Sequence, residues 1–318
     1  MEKITLQSLT DSLWSFSVLM SLSEAGALPL LEKGTTFEAL LNKTNFPLDI
    51  LKTALELLKT MGFISGENGL IKANGDLARL LEVGGASHTL SEMQSNFGQV
   101  RELIMASRQH TLTPGWSHTD KDILQAQGVF SEFIATECVP LFPKMKALVQ
   151  KPHTTFLDVG TGVGRIALKM CELYPQLQAV AIEPIDAPFL LAQQNISASD
   201  YKDRVELRQM GVEDLTDIAM FDVIWIAQGF IPDEAFLPAV AKMKSALKPG
   251  GMILTAEFIE NPMKEKTIKS GVMDFISAVY GTIRTPSEIM ALFEKNGFVN
   301  VEQVQYREYV SLIAAVNP

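Results

Sequence analysis

The chain has 318 residues, 47% hydrophobic and 20% charged: enough for two ordinary domains with full cores, and too apolar for a disordered tail. Lys and Arg number 27 against 37 Asp and Glu, and a net charge of -10 opposes a phosphate backbone as partner unless the basic residues cluster. The two cysteines, Cys138 and Cys171, lie in helix-like apolar text, which excludes a disulfide framework and reads as reduced packing residues of a cytoplasmic protein.

The first apolar stretch, Ser12 to Leu31, is broken by serines and Glu24, with no basic cluster before it and no cleavage-like site after it, so neither a signal peptide nor a membrane span is expected. Leu13, Trp14, Phe16, Leu19, Met20 and Leu22 recur at helical spacing and give a face broad enough to need a partner, in a buried or dimeric helix. Phe37 to Asn42 and Leu48 to Met61 follow as helices around Pro47, which suits a helix start. Asn68-Gly69, between Gly62–Ser65 and Leu70–Lys72, supplies the positive φ angles of a tight hairpin. Helix, helix, hairpin is a winged-helix order. The second helix balances Lys52 and Lys59 with Asp49 and Glu56 and is otherwise largely apolar, so packing or dimerisation is expected of it rather than DNA binding. These residues, 1–86, are assigned to a winged-helix dimerisation domain.

Residues 87–150 read as a helical connector, interrupted at Thr113-Pro114-Gly115 and bent near Pro140 and Pro143, with Trp116, His118, Phe130 and Phe133 available to line a pocket. From Thr154 short apolar runs alternate with helices. Phe156–Val159, Ala179–Ile182, Val205–Leu207, Phe221–Ala227 and Met252–Phe258 are five strands of a doubly wound α/β, Rossmann-like sheet spanning 151–318.

Asp158-Val159-Gly160-Thr161-Gly162-Val163-Gly164 falls where the first of these strands turns into its helix, and glycines allow a sharp turn and close ligand approach. Glu183 closes the second strand 19 positions after Gly164, where a carboxylate can accept both hydroxyls of a ribose. The third glycine comes one position earlier than in a dinucleotide fingerprint, and the acid two residues before the first glycine suits a cationic amino-acid end better than a pyrophosphate. An adenosyl ligand is implied.

These residues resemble the class I S-adenosylmethionine-dependent methyltransferases, whose first motif is an acid followed by G-x-G-x-G. Glu183 matches that family's ribose acid, Leu247-Lys248-Pro249-Gly250-Gly251 the turn before its fifth strand, and Phe298 to Val316 its closing hairpin. With the winged-helix half, the chain looks like the bacterial small-molecule, O-methyltransferase-like enzymes of secondary metabolism, which dimerise through their N-terminal domains. The resemblance implies that Asp158, Gly160, Thr161, Gly162 and Gly164 flank the methionine end of S-adenosylmethionine, that Glu183 and Pro184 meet its ribose, and that Ala227 lies beside it. At the family's adenine acid this chain has Gly211, which leaves that contact to the backbone of Gly211 and Val212 or to Glu213.

Many relatives that methylate hydroxyls carry a histidine base after the fourth strand, where this chain reads Ala227-Gln228-Gly229-Phe230. Methyl transfer is an in-line displacement that needs alignment first, and a base only if the nucleophile keeps its proton. A positioning enzyme is therefore expected, with Gln228 at the reacting centre and a mostly apolar acceptor held by Phe230, Met273, Tyr280 and the connector aromatics. His118 is the alternative base should the connector fold over the site; its simpler reading is a surface or linker histidine, whose replacement by Gln costs little. No histidine pair has metal-ligand spacing, and neither nucleic acid nor membrane is expected as a partner. The competing functions are a transcriptional regulator that senses S-adenosylmethionine and a non-catalytic binding partner that keeps the fold.

Overall fold

A computed structural model describes residues 5–82, 86–109, 116, 118–258, 284–307 and 310–318. The chain divides into two compact units, 1–94 and 95–318.

The first unit begins with α1 (Leu6–Glu24), opened by a capping box in which Thr5 and Ser8 exchange backbone hydrogen bonds. Helices α2 (Leu28–Lys33), α3 (Phe37–Thr44) and α4 (Leu48–Thr60) lead into the hairpin β1 (Ile64–Glu67) and β2 (Leu70–Ala73), followed by α5 (Gly75–Glu82). Asn68 and Gly69 both take positive φ, 52° and 78°, as the paired register of the hairpin requires. Leu19, Leu22, Leu31, Leu40, Leu51, Leu55 and Leu58 close one apolar core here. Leu19, expected on the partner-seeking face of α1, is thus already buried, whereas Leu6, Leu9, Leu13 and Trp14 are exposed.

α6 (Ala86–Arg108) runs on into the second unit, where α7 (Lys121–Ser131), one π-helical turn (Ile134–Cys138), a 3₁₀ turn (Val139–Leu141) and α8 (Pro143–Val149) form the connector. Pro140 cannot donate an amide, and the chain passes there from π to 3₁₀ geometry before restarting with Pro143 at the first helical position.

The sheet follows: β3 (Thr155–Val159), α9 (Arg165–Leu173), β4 (Gln178–Ile182), α10 (Asp186–Ser197), β5 (Val205–Arg208), β6 (Phe221–Ile226), α11 (Asp233–Ala246), β7 (Leu247–Phe258), α12 (Pro286–Lys295), β8 (Val299–Arg307) and β9 (Val310–Val316). Its order is β5-β4-β3-β6-β7-β9-β8, parallel through β7, with β9 antiparallel to β7 and β8 antiparallel to β9. Successive residues of a strand face opposite sides. Phe156, Val223 and Trp225 therefore join the core under α8 and α9, and Leu157, Ile224 and Ile226 join the core under α11 and α12. Cys138 and Cys171 are buried free thiols, and burial pushes the Cys171 thiol up to about 11, which keeps it unreactive. No helix among the described residues is long and apolar enough to cross a membrane.

Candidate functional site

The strand order reverses between β3 and β6, which opens a crevice at the carboxyl ends of the strands. The glycine turn leaves β3 there, Glu183 leaves β4, Gly211 follows β5, and Ala227 with the 3₁₀ turn Gln228–Phe230 leaves β6.

Gly160, Gly162 and Gly164 all take positive φ, 68°, 59° and 81°. A Cβ on Gly160 or Gly162 would meet nothing within 4 Å, so what these two require is the left-handed backbone, and the space above them is open. Asp158 is fully buried behind the turn, where its Oδ2 accepts from Thr161 Oγ1 at 2.5 Å and from the Ala167 amide at 3.2 Å. Its Oδ1 is buried with no hydrogen-bond partner among the described residues. Burial pushes this carboxyl up to about 6, against the two hydrogen bonds.

Glu183 is 5% exposed and grips the same turn: Oε2 accepts from the Gly162 amide at 2.9 Å and Oε1 from the Ile185 amide at 3.0 Å. Burial raises it to about 7, opposed by those amides and assisted by the charge of Asp158. Each carboxylate oxygen has a second lone pair, so Glu183 can hold the turn and still accept from a ligand hydroxyl. Pro184 is exposed beside it. After β5 the Glu213 carboxylate lies over the Cα of Gly211, where a Cβ would collide with it, and Val212 is buried.

The connector covers this turn. Trp116 and Leu124 share an apolar cluster with Val163 of the turn and with Ala187 and Leu191 of α10. At Gly128 the approach of α7 leaves no room for a Cβ, which would collide with Val163 and stand 2.8 Å from the Arg165 Cγ. Asn195 donates to the Val163 carbonyl at 2.8 Å and is held by Gln125. Glu132, buried, pairs with Arg165 and, at 3.2 Å, with Lys169, which ties the connector to α9.

His118 is not a surface histidine: it is 1% exposed, its Nδ1 is paired with the Glu102 carboxylate of α6, and the Trp116 ring stands edge-on 4.7 Å away. A buried imidazole needs such a polar partner, and the sequence carried no sign that Glu102, sixteen residues earlier, supplies one. Trp116 in turn meets Phe230 at 5.1 Å, also edge-on, while Gln228 is fully buried. Phe130 and Phe133 go elsewhere: they pack on each other, and Phe133 stacks on Tyr306 at 5.5 Å, within the core under α9. Trp225 is core, as its alternation predicts. Met273 and Tyr280 lie outside the described residues.

Three further groups escape a sequence reading. Gly128 was visible only as a lone glycine inside a helical pattern, a weak sign of close packing. Asn195 carried no sign. Glu257, 2% exposed near the carboxyl end of β7, accepts from Thr255 Oγ1 at 2.8 Å and is pushed up to about 8 by burial, opposed by that bond and the Arg284 charge. Among the described residues no His, Cys, Asp and Glu cluster could hold a metal ion.

This sheet order, with a glycine turn behind an acid at the switch point and a ribose-type carboxylate one strand over, defines the class I methyltransferase fold. Residues 150–297 match a family model described as a methyltransferase domain, and this part of the chain is a methyltransferase domain. Over 189 residues it is 28% identical to the ubiquinone/menaquinone biosynthesis C-methyltransferase UbiE of Brucella anthropi, covering 53% of this chain and 71% of that one. The same fold recurs in the pyocyanin biosynthetic protein PhzM (TM-score 0.63, 19% identity, 98% of each chain). It recurs again in human N-acetylserotonin methyltransferase in complex with SAM (TM-score 0.62, 15% identity, 99% of this chain and 98% of that one). The site's features fit that cofactor: open space over two glycines, a buried acid with an unused oxygen, and a carboxylate with lone pairs to spare.

Proposed function

We propose that the chain methylates a mostly apolar small molecule, in secondary metabolism, by holding it in line with the cofactor's methyl group. The observation that carries this reading is the roof over the glycine turn: Trp116 packs on the cluster that holds Val163 of the turn and meets Phe230 after β6 edge-on, so one apolar wall runs from the cofactor cradle to the acceptor end of the sheet. Asp158, Gly160, Thr161, Gly162 and Gly164 would hold the methionine end, Glu183 and Pro184 the ribose, and Gly211, Val212 and Glu213 the adenine, with Ala227 beside the sulfonium. Bound there, S-adenosylmethionine supplies an electrophilic methyl group. Gln228 stands where relatives place a histidine; it orients an acceptor and cannot take its proton at neutral pH. Excluding water with Trp116 and Phe230 favours an in-line approach, the larger part of what such a displacement needs. The same reading makes the protein a cytoplasmic homodimer joined through residues 1–86.

Incubation with methyl-labelled cofactor and a small-molecule extract of the source organism, followed by mass spectrometry, tests it. Label in a small product supports an enzyme. Cofactor binding with no labelled product supports a sensor or a non-catalytic partner, and a salt-dependent shift of DNA singles out the regulator. The likeness to a C-methyltransferase favours a second reading, transfer to carbon, which fragmentation of the labelled product separates from transfer to oxygen.

A further inference from the structure

We propose that Asn195 is a positioning residue for the cofactor turn, and that with Gln125 it links the filling of the cofactor site to the seating of α7. The inference deepens the methyl-transfer reading and rests on its cofactor. The first amides of the turn are held from the sheet: those of Gly160 and Thr161 donate to the Ile182 carbonyl, each at 3.0 Å, and that of Gly162 donates to Glu183. The peptide between Val163 and Gly164, at the start of α9, is held differently. Its N–H donates to the Thr161 carbonyl at 3.0 Å, and its carbonyl accepts from Asn195 Nδ2 of α10 at 2.8 Å. Gly164 brings no capping side chain to α9 and takes φ 81°. Glycine permits that peptide several orientations, and the Asn195 bond selects one. Packing supports the same hold: Ile196 and Ala192 of α10 stand 3.4 and 3.6 Å from where a Gly164 Cβ would lie.

The remaining bonds of Asn195 run to the connector. Nδ2 also donates to Gln125 Oε1, and Oδ1 accepts from Gln125 Nε2, both at 3.1 Å, a reciprocal amide pair that joins α10 to α7. A primary amide has two N–H donors, and here both are used, one on Val163 and one on Gln125. The Val163 carbonyl can only accept, so it fixes the amide with its nitrogen toward the turn. Asp at this position would set a carboxylate against that carbonyl and leave it without a donor. Gln125 follows Leu124, which shares the apolar cluster of Val163, and precedes by three residues Gly128, where α7 closes on Val163 and Arg165. One side chain therefore holds both the carbonyl of the cofactor turn and the helix packed over it. A cofactor that orders the turn fixes the Val163 carbonyl and, through Asn195 and Gln125, favours the seated α7. By linkage the seated α7 favours the cofactor by the same factor.

Calorimetry of S-adenosylhomocysteine binding to the full-length protein supplies a double-mutant cycle. Asn195→Ala should weaken binding about 10-fold and Gln125→Ala about threefold, the scale of lost neutral hydrogen bonds. Because Gln125 acts through Asn195, the double variant should bind about as well as Asn195→Ala alone rather than multiply the two losses. Asn195→Asp, equal in size but without the donor, should lose at least as much as Asn195→Ala. Hydrogen exchange gives a second readout that survives even if the Asn195 variants fail to fold, since Gln125→Ala leaves the Val163 bond in place. In the unmodified chain S-adenosylhomocysteine should slow exchange across residues 121–131 about 10-fold; in Gln125→Ala, saturated with the same ligand, by less than about threefold, while residues 160–164 are slowed equally in both. Ala is the better helix former, so a weaker α7 would not explain that loss. Losses that multiply in the double variant, slowing of α7 that persists in Gln125→Ala, or no slowing of α7 in the unmodified chain would each overturn the proposal and leave the cofactor reading standing. An unmodified chain that does not bind S-adenosylhomocysteine at all would overturn both.

Discussion

Glu183 carries two tasks that conflict, and its titration exposes the conflict. Burial holds its folded-state value near 7, above the ordinary 4.5, so the folded state binds this proton more tightly than the unfolded chain does. Its contribution to stability is therefore complete below about pH 4.5 and is lost as pH rises through about 7, by roughly 1–3 kcal/mol. Glu183→Gln keeps a neutral group in place, so the variant should lack that share of the fall in urea-unfolding stability between pH 5 and pH 8. An unchanged pH slope would remove Glu183 as a buried charge. The carboxylate that costs stability is the one suited to a ribose. Glu183→Ala should weaken S-adenosylhomocysteine binding by about 1.5–3 kcal/mol in calorimetry, the scale of a lost charge-assisted hydrogen bond, and equal affinity in a folded variant would take it out of the site.

The turn between β3 and α9 shows how two glycines of one chain can be required for different reasons. Gly162, at φ 59° with open space above it, is fixed by backbone conformation and by what must fit over it. Gly162→Val should strain the turn by about 1–2 kcal/mol and put a side chain into the cofactor's place, so its binding of S-adenosylhomocysteine should fall more than that of Glu183→Ala. Gly128 sits in α7 with ordinary helical geometry and is fixed by contact with Val163 and Arg165. In an open helix Ala would gain about 1 kcal/mol over Gly. Here overpacking of about 1–3 kcal/mol opposes that gain, so Gly128→Ala should lower both the unfolding midpoint and cofactor affinity by pushing α7 off the turn. A higher midpoint would show that the interface gives way. The contrast marks what the sequence made legible. The Gly160–Gly164 run and Glu183 stood at strand ends that periodicity locates, so sheet and cradle were readable. Gly128, Asn195 and the Glu102–His118 pair act across 16 or more positions through packing that no local pattern encodes, and Phe130 and Phe133 were absorbed by a core whose extent depends on Tyr306.

At the scale of the whole molecule, α1 is apolar on two opposite sides. Ser15, Leu19 and Leu22 face the core of the first unit, while Leu6, Leu9 and Leu13, one stripe at helical spacing, stand with Trp14 in the open, Leu6 being 84% and Trp14 67% exposed. A helix with apolar residues on two opposite sides is best covered on both, and among the described residues of the first unit the core covers one of them. A cluster holding an exposed tryptophan is the kind of patch that marks an association surface rather than scattered surface apolarity. The second partner expected is the same stripe of another copy, paired about a twofold axis. Light scattering should report a dimer for the unmodified protein at micromolar concentration, and Trp14→Glu, which sets a charge beside the stripe, should shift it toward monomer without unfolding the unit, because Trp14 is outside the core beneath. Leu22→Glu is the control: fully buried, it should unfold the unit instead. A monomer for the unmodified chain would sink the dimer. A dimer untouched by Trp14→Glu would keep the dimer and move its interface off α1.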